Sequence, residues 1–99
     1  MAAAQLVENG DGSWLLQGEL DFASVPSVLQ HAGVNMLGKE QITVDLKGIT
    51  RADSAGLALL VEWLRESELA GNSIKFVNVP AQLLSIARVS GLEEILSLN

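Results

Sequence analysis

Two strand patterns on either side of a long helical pattern constrain the fold of this chain more than any other feature. Residues 42–46 alternate apolar and polar side chains and are rich in β-branched residues, which predicts a central strand ending at Lys47 and Gly48. From Asp53 the apolar residues recur with period 3.6 as far as Gly71, and residues 74–77 form a second strand pattern. A β-α-β unit of this kind requires parallel strands joined by a right-handed crossover.

The segment before this unit predicts a hairpin and a helix. Short apolar stretches at residues 5–7 and 14–17 flank a turn-rich sequence, which indicates two antiparallel strands. Apolar residues then recur at helical spacing after Ser24, a suitable N-cap, and Pro26 is tolerated in a first turn.

The segment after it predicts a third helix, which opens at Pro80 and closes at Gly91, and a last short strand at residues 95–98. The element order is therefore β-β-α-β-α-β-α-β. We expect a single α/β domain over residues 1–99, with a mixed sheet covered largely on one face by helices.

The composition limits the classes of partner. Twelve acidic residues against six basic ones give a net charge of -6, which argues against nucleic acid as a partner. The chain has no cysteine, so disulfides and thiolate metal sites are excluded and a reducing cytoplasm is the expected compartment. The first five residues lack the features of a secretory signal, and the longest apolar run, residues 57–61, is far shorter than the roughly 20 residues that cross a bilayer. We expect membrane association only through a partner, without direct insertion.

The sequence lacks the patterns that carry catalysis. His31 is the only histidine, and its place on the flank of the first helix predicts a solvated side chain. No metalloprotease, nucleophile-elbow, phosphate-loop or dinucleotide-binding pattern occurs. The carboxylates of Glu62, Glu66 and Glu68 are typical of the solvated side of a helix. We expect a non-enzyme without cofactor or metal.

The start of the second helix is the most informative segment. Asp53 can cap free backbone N–H groups there, and its charge complements the positive end of the helix dipole. The hydroxyl of Ser54 stands where a partner backbone could be met or an added phosphate received. Both residues taken singly are also ordinary helix-start residues.

The apolar residues of this helix exceed one stripe. Four of them supply a core-facing stripe: Leu57, Leu60, Val61 and Leu64. Leu59 and Trp63 point away from that stripe, and with the small residues Ala55 and Gly56 they predict an apolar contact patch near the serine. The alternative is that Trp63 lies along the rim of the core, and the pattern does not separate the two.

Three ordered motifs resemble the STAS domains, the fold of the anti-sigma factor antagonists. The motifs are Gly18-Glu19-Leu20-Asp21, Asp53-Ser54-Ala55-Gly56-Leu57 and Val89-Ser90-Gly91-Leu92, and the likeness covers almost the whole chain. The resemblance implies that Ser54 is the regulatory residue and possible phosphorylation site, and that Asp21 lies near it in the fold. The partner-binding residues are then Asp21, Asp53, Ser54, Ala55, Leu59 and Trp63.

Within the family, the run from Asp53 to Arg65 is most similar to the STAS subunit of the bacterial phospholipid-transport ABC complex that maintains outer-membrane lipid asymmetry. This likeness implies a cytoplasmic subunit that sits on the ATPase subunit and supports it. The sequence departs from the usual antagonist motif at Ala55, where serine or threonine is common, and at Ala58, where glycine is common. The alternative partner is an anti-sigma factor kinase that phosphorylates Ser54.

Overall fold

The opening hairpin forms as the sequence predicts. The computed structural model describes residues 4–10, 12–35 and 40–98, with only the backbone described for residues 31–35. Strand β1 (Gln5–Gly10) pairs antiparallel with β2 (Ser13–Leu20). Gly12 occupies the turn at φ +75°, and an added Cβ there would lie 2.5 Å from the carbonyl oxygen of Gln41. Glycine is therefore required by both the backbone angle and the close approach of β3.

The sheet continues with two parallel strands. Strand β3 (Gln41–Ala52) pairs with β2 on one side and with β4 (Ser73–Val77) on the other, and the strand order is β1-β2-β3-β4. The central position of β3 is confirmed, but the prediction that it ends at Gly48 is wrong. Gln17 of β2 and Gly48 of β3 are register partners next to a register shift, and an added Cβ on Gly48 would lie 2.7 Å from the Cβ of Gln17. Glycine therefore allows the two strands to stay paired at this close approach, and β3 continues to Ala52.

One helix follows each of the strands β2, β3 and β4. Helix α1 spans Val25–Asn35, α2 spans Ser54–Leu69 and α3 spans Ala81–Ser90. Helix α3 closes on Gly91, which adopts the left-handed conformation at φ +71°, as the sequence predicts. No helix in the described part of the chain is long and apolar enough to cross a membrane.

The hydrophobic core lies between one face of the sheet and the helices. Alternate residues of the strands are buried: Trp14, Leu16 and Leu20 in β2, and Ile42, Val44 and Leu46 in β3. Leu83 and Ala87 of α3 pack on the same core. The intervening strand residues are half-buried or exposed, so the α/β fold with helices over one sheet face is confirmed.

The predicted last strand at residues 95–98 is wrong. Residues 93–97 form consecutive turns, and the N–H groups of Leu96 and Leu98 donate to the carbonyls of Leu92 (3.1 Å) and Glu93 (2.9 Å). Leu96 and Leu98 are both buried, so their spacing imitates the two-residue period of a strand. Local hydrogen bonds satisfy this backbone instead, and the described part of the sheet has four strands.

Candidate functional site

The carboxyl ends of the parallel strands bring Asp21 and Asp53 to one edge of the sheet. Leu20 and Ala52 are register partners at the ends of β2 and β3. The N–H of Asp53 donates to the carbonyl of Leu20 across 3.1 Å, so the chain leaving β2 is tied to the start of α2. The expectation that Asp21 lies near the second helix start follows from this pairing.

Asp53 is the N-cap of α2, as the sequence predicts. Its backbone is extended at φ -120° and ψ -165°, and its carboxylate oxygen Oδ1 accepts from the N–H of Ala55 at 2.8 Å. The N–H of Gly56 donates to the Asp53 carbonyl at 3.0 Å. This cap satisfies donors that every helix start leaves free. Ser54 then follows as the first helical residue, and it is exposed.

The turn after β2 is held by the side chains of Asp21 and Ser24. Oδ1 of Asp21 accepts from the N–H groups of Ala23 and Ser24, each at 2.9 Å. The hydrogen bond from the N–H of Ser24 has the largest effect on this carboxyl and lowers the pKa of Asp21. Partial burial raises the pKa, but the hydrogen bonds, including that from the N–H of Ala23, outweigh it. The Ser24 hydroxyl donates to the carbonyl of Glu19 at 2.7 Å and accepts from the N–H of Asp21 at 3.0 Å. Ser24 therefore fixes this turn directly before α1.

Two residues position α2 and α3 at this edge of the sheet, and the sequence predicted this role for neither. An added Cβ on Gly56 would lie 3.1 Å from the Cβ of Leu20 and 3.4 Å from Cδ2 of Leu83, so α2 approaches its neighbours closely there. The side-chain oxygen of Gln82 in α3 accepts from the N–H of Ala52 at 2.9 Å. Gly56 is part of the motif identified in the sequence. Gln82 is thirty residues from Ala52, so no local sequence pattern could predict their hydrogen bond.

The assignment of faces on α2 needs correction. Leu59 and Trp63 are 0% and 2% exposed, and Ala55 is buried too, so none of the three forms a surface patch. The buried residues of α2, which form its inner face, are Ala55, Gly56, Leu57, Leu59, Leu60, Trp63 and Ser67. Helix α2 contacts both α1 and α3, so its buried arc is wider than one stripe. The prediction that Ala55, Leu59 and Trp63 form an exposed patch for a partner is therefore wrong.

The outer face of α2 consists of Ser54, Ala58, Val61 and Arg65. Ser54, Ala58 and Arg65 are exposed, and Val61, predicted to be in the core stripe, is 36% exposed. Nε of Arg65 donates to Oε1 of Glu62 at 3.0 Å, and this guanidinium lowers the pKa of Glu62. The outer face thus begins with the hydroxyl of Ser54 and the small side chain of Ala58, and Val61 follows one turn later.

Trp14 and Trp63 lie in the core, and neither indole N–H has a hydrogen-bond partner in the described part of the molecule. Among the described residues, no three His, Asp or Glu side chains cluster so as to hold a metal ion. The side chain of His31 lies outside the described residues, so its solvation stays a prediction. The edge offers a capped helix start, an exposed hydroxyl at Ser54 and a small exposed side chain at Ala58.

Comparison with known proteins agrees with this geometry. The MlaB-type STAS domain family matches residues 11–97. The chain is 33% identical over 94 residues to the intermembrane phospholipid transport system binding protein MlaB of Haemophilus influenzae, covering 90% of each chain. The fold matches SpoIIAA, an anti-sigma factor antagonist and Bacillus cell fate determinant, with a TM-score of 0.73 and 21% identity over 93% of this chain and 84% of that one.

An anti-sigma factor antagonist from Mycobacterium paratuberculosis has the same fold, with a TM-score of 0.76 and 18% identity over 96% of this chain and 82% of that one. The profile match and the MlaB relative both span most of the chain, and the fold agrees with them. The chain belongs to the STAS domain family and is a homologue of MlaB.

Proposed function

We propose that this protein is a non-catalytic, cytoplasmic STAS subunit of a phospholipid-transport ABC complex, and that it binds the ATPase subunit through the start of α2. In this role it supports the ATPase and so the maintenance of outer-membrane lipid asymmetry. The relative that is 33% identical carries the name of a phospholipid transport binding protein, which supports the class of complex. It reaches the inner membrane only through that partner.

The observation that carries the docking site is the exposure of Ser54 at a start that needs no further capping. Asp53 already accepts from the N–H of Ala55, so the Ser54 hydroxyl is not required for this cap. The next residue on the outer face is Ala58, whose small side chain allows a partner's backbone or helix to approach closely. Asp21, tied to the same edge, adds a carboxylate that stays ionised at neutral pH.

The test is the affinity of purified variants for the ATPase subunit, measured with their melting temperatures. Ala58→Glu places bulk and charge on the proposed surface, and we expect at least a tenfold loss of affinity with little loss of stability. Ser85→Glu is the matched control, because Ser85 is an exposed helical residue on α3. Equal affinity of Ala58→Glu and Ser85→Glu would show that the outer face of α2 does not dock.

Ser54 itself supplies a finer test. Ser54→Ala leaves the Asp53 cap in place, so we expect a stability loss of at most about 1 kcal/mol. A docked hydroxyl that leaves a buried partner group unpaired costs about 1–3 kcal/mol of binding, or roughly 5- to 150-fold in affinity. Ser54→Glu should be tolerated by the helix dipole and should obstruct docking. If both variants bind like the parent, Ser54 is only a helix-start residue.

The alternative function is that of an anti-sigma factor antagonist switched by phosphorylation of Ser54. The exposed hydroxyl favours it, because a kinase must reach its substrate oxygen. Binding to an anti-sigma factor kinase with phosphate transfer to Ser54, together with no affinity for the ATPase subunit, would establish the alternative. Hydrolase turnover that disappears in Ser54→Ala would contradict the non-catalytic role.

A further inference from the structure

Phe22 is a large aromatic side chain that the fold leaves in solvent. It is 74% exposed, in the turn between β2 and α1. Other strongly exposed apolar residues lie at the other ends of the helices or beyond them: Leu69 at the end of α2, Val89 near the end of α3, and Ile95 in the turns that follow. Phe22 alone among these stands at the edge where α2 begins.

The turn that carries Phe22 is held by several hydrogen bonds. The Asp21 carboxylate accepts from the two N–H groups that follow Phe22, and the Asp21 carbonyl accepts from Ser24 and Val25 at 3.2 and 3.0 Å. The Ser24 hydroxyl bonds back to Glu19 at 2.7 Å. A loop whose backbone is already held in one conformation loses little backbone entropy on binding, which favours the use of its side chain as an anchor.

Phe22 and Ser54 lie close enough together for one interface to cover both. The bond between Leu20 and Asp53 is 3.1 Å long, and successive Cα atoms are about 3.8 Å apart. The Cα atoms of Phe22 and Ser54 therefore lie within about 18 Å of each other. A standard interface of about 800 Å² per partner is roughly 30 Å across, so it can cover both residues.

We propose that Phe22 is an anchor of the interface with the ATPase subunit and inserts into an apolar pocket of that subunit bordered by hydrogen-bond donors or basic side chains. This inference rests on the proposed function and adds a residue and a pocket chemistry to it. Asp21 lies next to Phe22 in the chain, and Asp53 lies at the same edge. Aromatic side chains are enriched among the residues that dominate interface energies.

The charge at this edge disfavours a second copy of the chain as the occupant. A two-fold contact would bring the edge with Asp21 and Asp53 against itself, and Arg51, which acts on Asp21 from the end of β3, offsets only part of that negative charge. The chain as a whole carries a net charge of -6, which adds repulsion between copies. A different protein with donors around an apolar pocket meets neither obstacle.

The experiment compares Phe22→Ala with Val89→Ala, a matched control at a site that is 91% exposed. Each full-length variant is titrated against the purified ATPase subunit, and its melting temperature and sedimentation are measured. We expect Phe22→Ala to weaken binding about 30-fold or more without lowering the melting temperature, whereas Val89→Ala binds like the parent. Phe22→Leu should recover part of the affinity, because an apolar pocket accepts either side chain.

The outcomes separate this inference from the proposed function. If the parent binds the ATPase subunit, Ala58→Glu does not, and Phe22→Ala retains the parent affinity, the inference is overturned and the proposed function stands. If the parent shows no affinity for the ATPase subunit, both are overturned. Self-association of the parent that Phe22→Ala abolishes, with unchanged ATPase binding, also overturns the inference in favour of a second copy.

Discussion

The inner and outer faces of α2 are built from the same sixteen residues but are suited to different tasks. The inner face packs Leu59, Leu60 and Trp63 at 2% exposure or less, and its one hydroxyl, Ser67, donates to the Leu64 carbonyl at 3.1 Å. The outer face begins with Ser54 and Ala58 and ends in an exposed ion pair. The difference teaches that this helix can change its outer side chains for recognition while the inner side chains maintain the fold.

The largest expected effect comes from breaking the inner face. Trp63→Ala removes an indole that is 2% exposed, and the cavity and lost burial should cost about 3–5 kcal/mol of unfolding free energy. Val61→Ala on the outer face should stay within about 0.5–1 kcal/mol of the parent. Urea unfolding of both variants measures the difference. Similar values for the two would contradict the division into inner and outer faces.

A second, smaller effect sharpens the division with one substitution on each face. Gly56→Val adds a branched side chain where a Cβ alone would approach Leu20 to 3.1 Å, and overpacking should cost about 1–3 kcal/mol. Ala58→Val on the outer face adds a similar side chain at an exposed helical position, where only helix propensity is lost. The two melting temperatures should therefore separate, and coincidence of the two would mean that α2 shifts to accommodate the new side chain.

The smallest expected effect is the pH dependence of the ion pair beside the outer face. Arg65 lowers the pKa of Glu62 from its ordinary value of 4.5, so the pair contributes stability above that pH and loses it as pH falls through the lowered pKa. Arg65→Gln should lower the melting temperature slightly at pH 7, and the gap to the parent should close as the pH falls through the lowered pKa of Glu62. A gap that persists after Glu62 is protonated would point to packing of the arginine stem instead.

The structure follows the sequence where the determining interactions are local. Asp53 caps α2 because its acceptor and the N–H of Ala55 are two residues apart, and α3 ends at Gly91 because glycine tolerates a left-handed cap. The faces of α2 could not be assigned from period alone, since apolar residues occupy more than half of its circumference. Two flanking helices decide which of them are covered.

The remaining differences come from contacts distant in sequence. Gly48 resembles a strand end in the sequence, but it lies inside β3, at a position where Gln17 of the paired strand β2 approaches too closely for a side chain. Leu96 and Leu98 share a strand period, yet the N–H of Leu98 donates locally to Glu93. At the candidate site, Ser54 and Asp21 were indicated by the motifs that resemble the STAS family, whereas the contact of Gln82 depends on how α3 returns over the sheet.

The two tryptophans give this protein a built-in optical reporter. Trp14 and Trp63 are its only tryptophans, it has no tyrosine, and both indoles are buried in the core. Intrinsic fluorescence excited at the indole band therefore originates inside the molecule and should shift to longer wavelength only when the core opens to water. A partner that docks on the outer face of α2 leaves both indoles covered. Emission wavelength can thus monitor unfolding of this subunit while a label on the partner monitors binding.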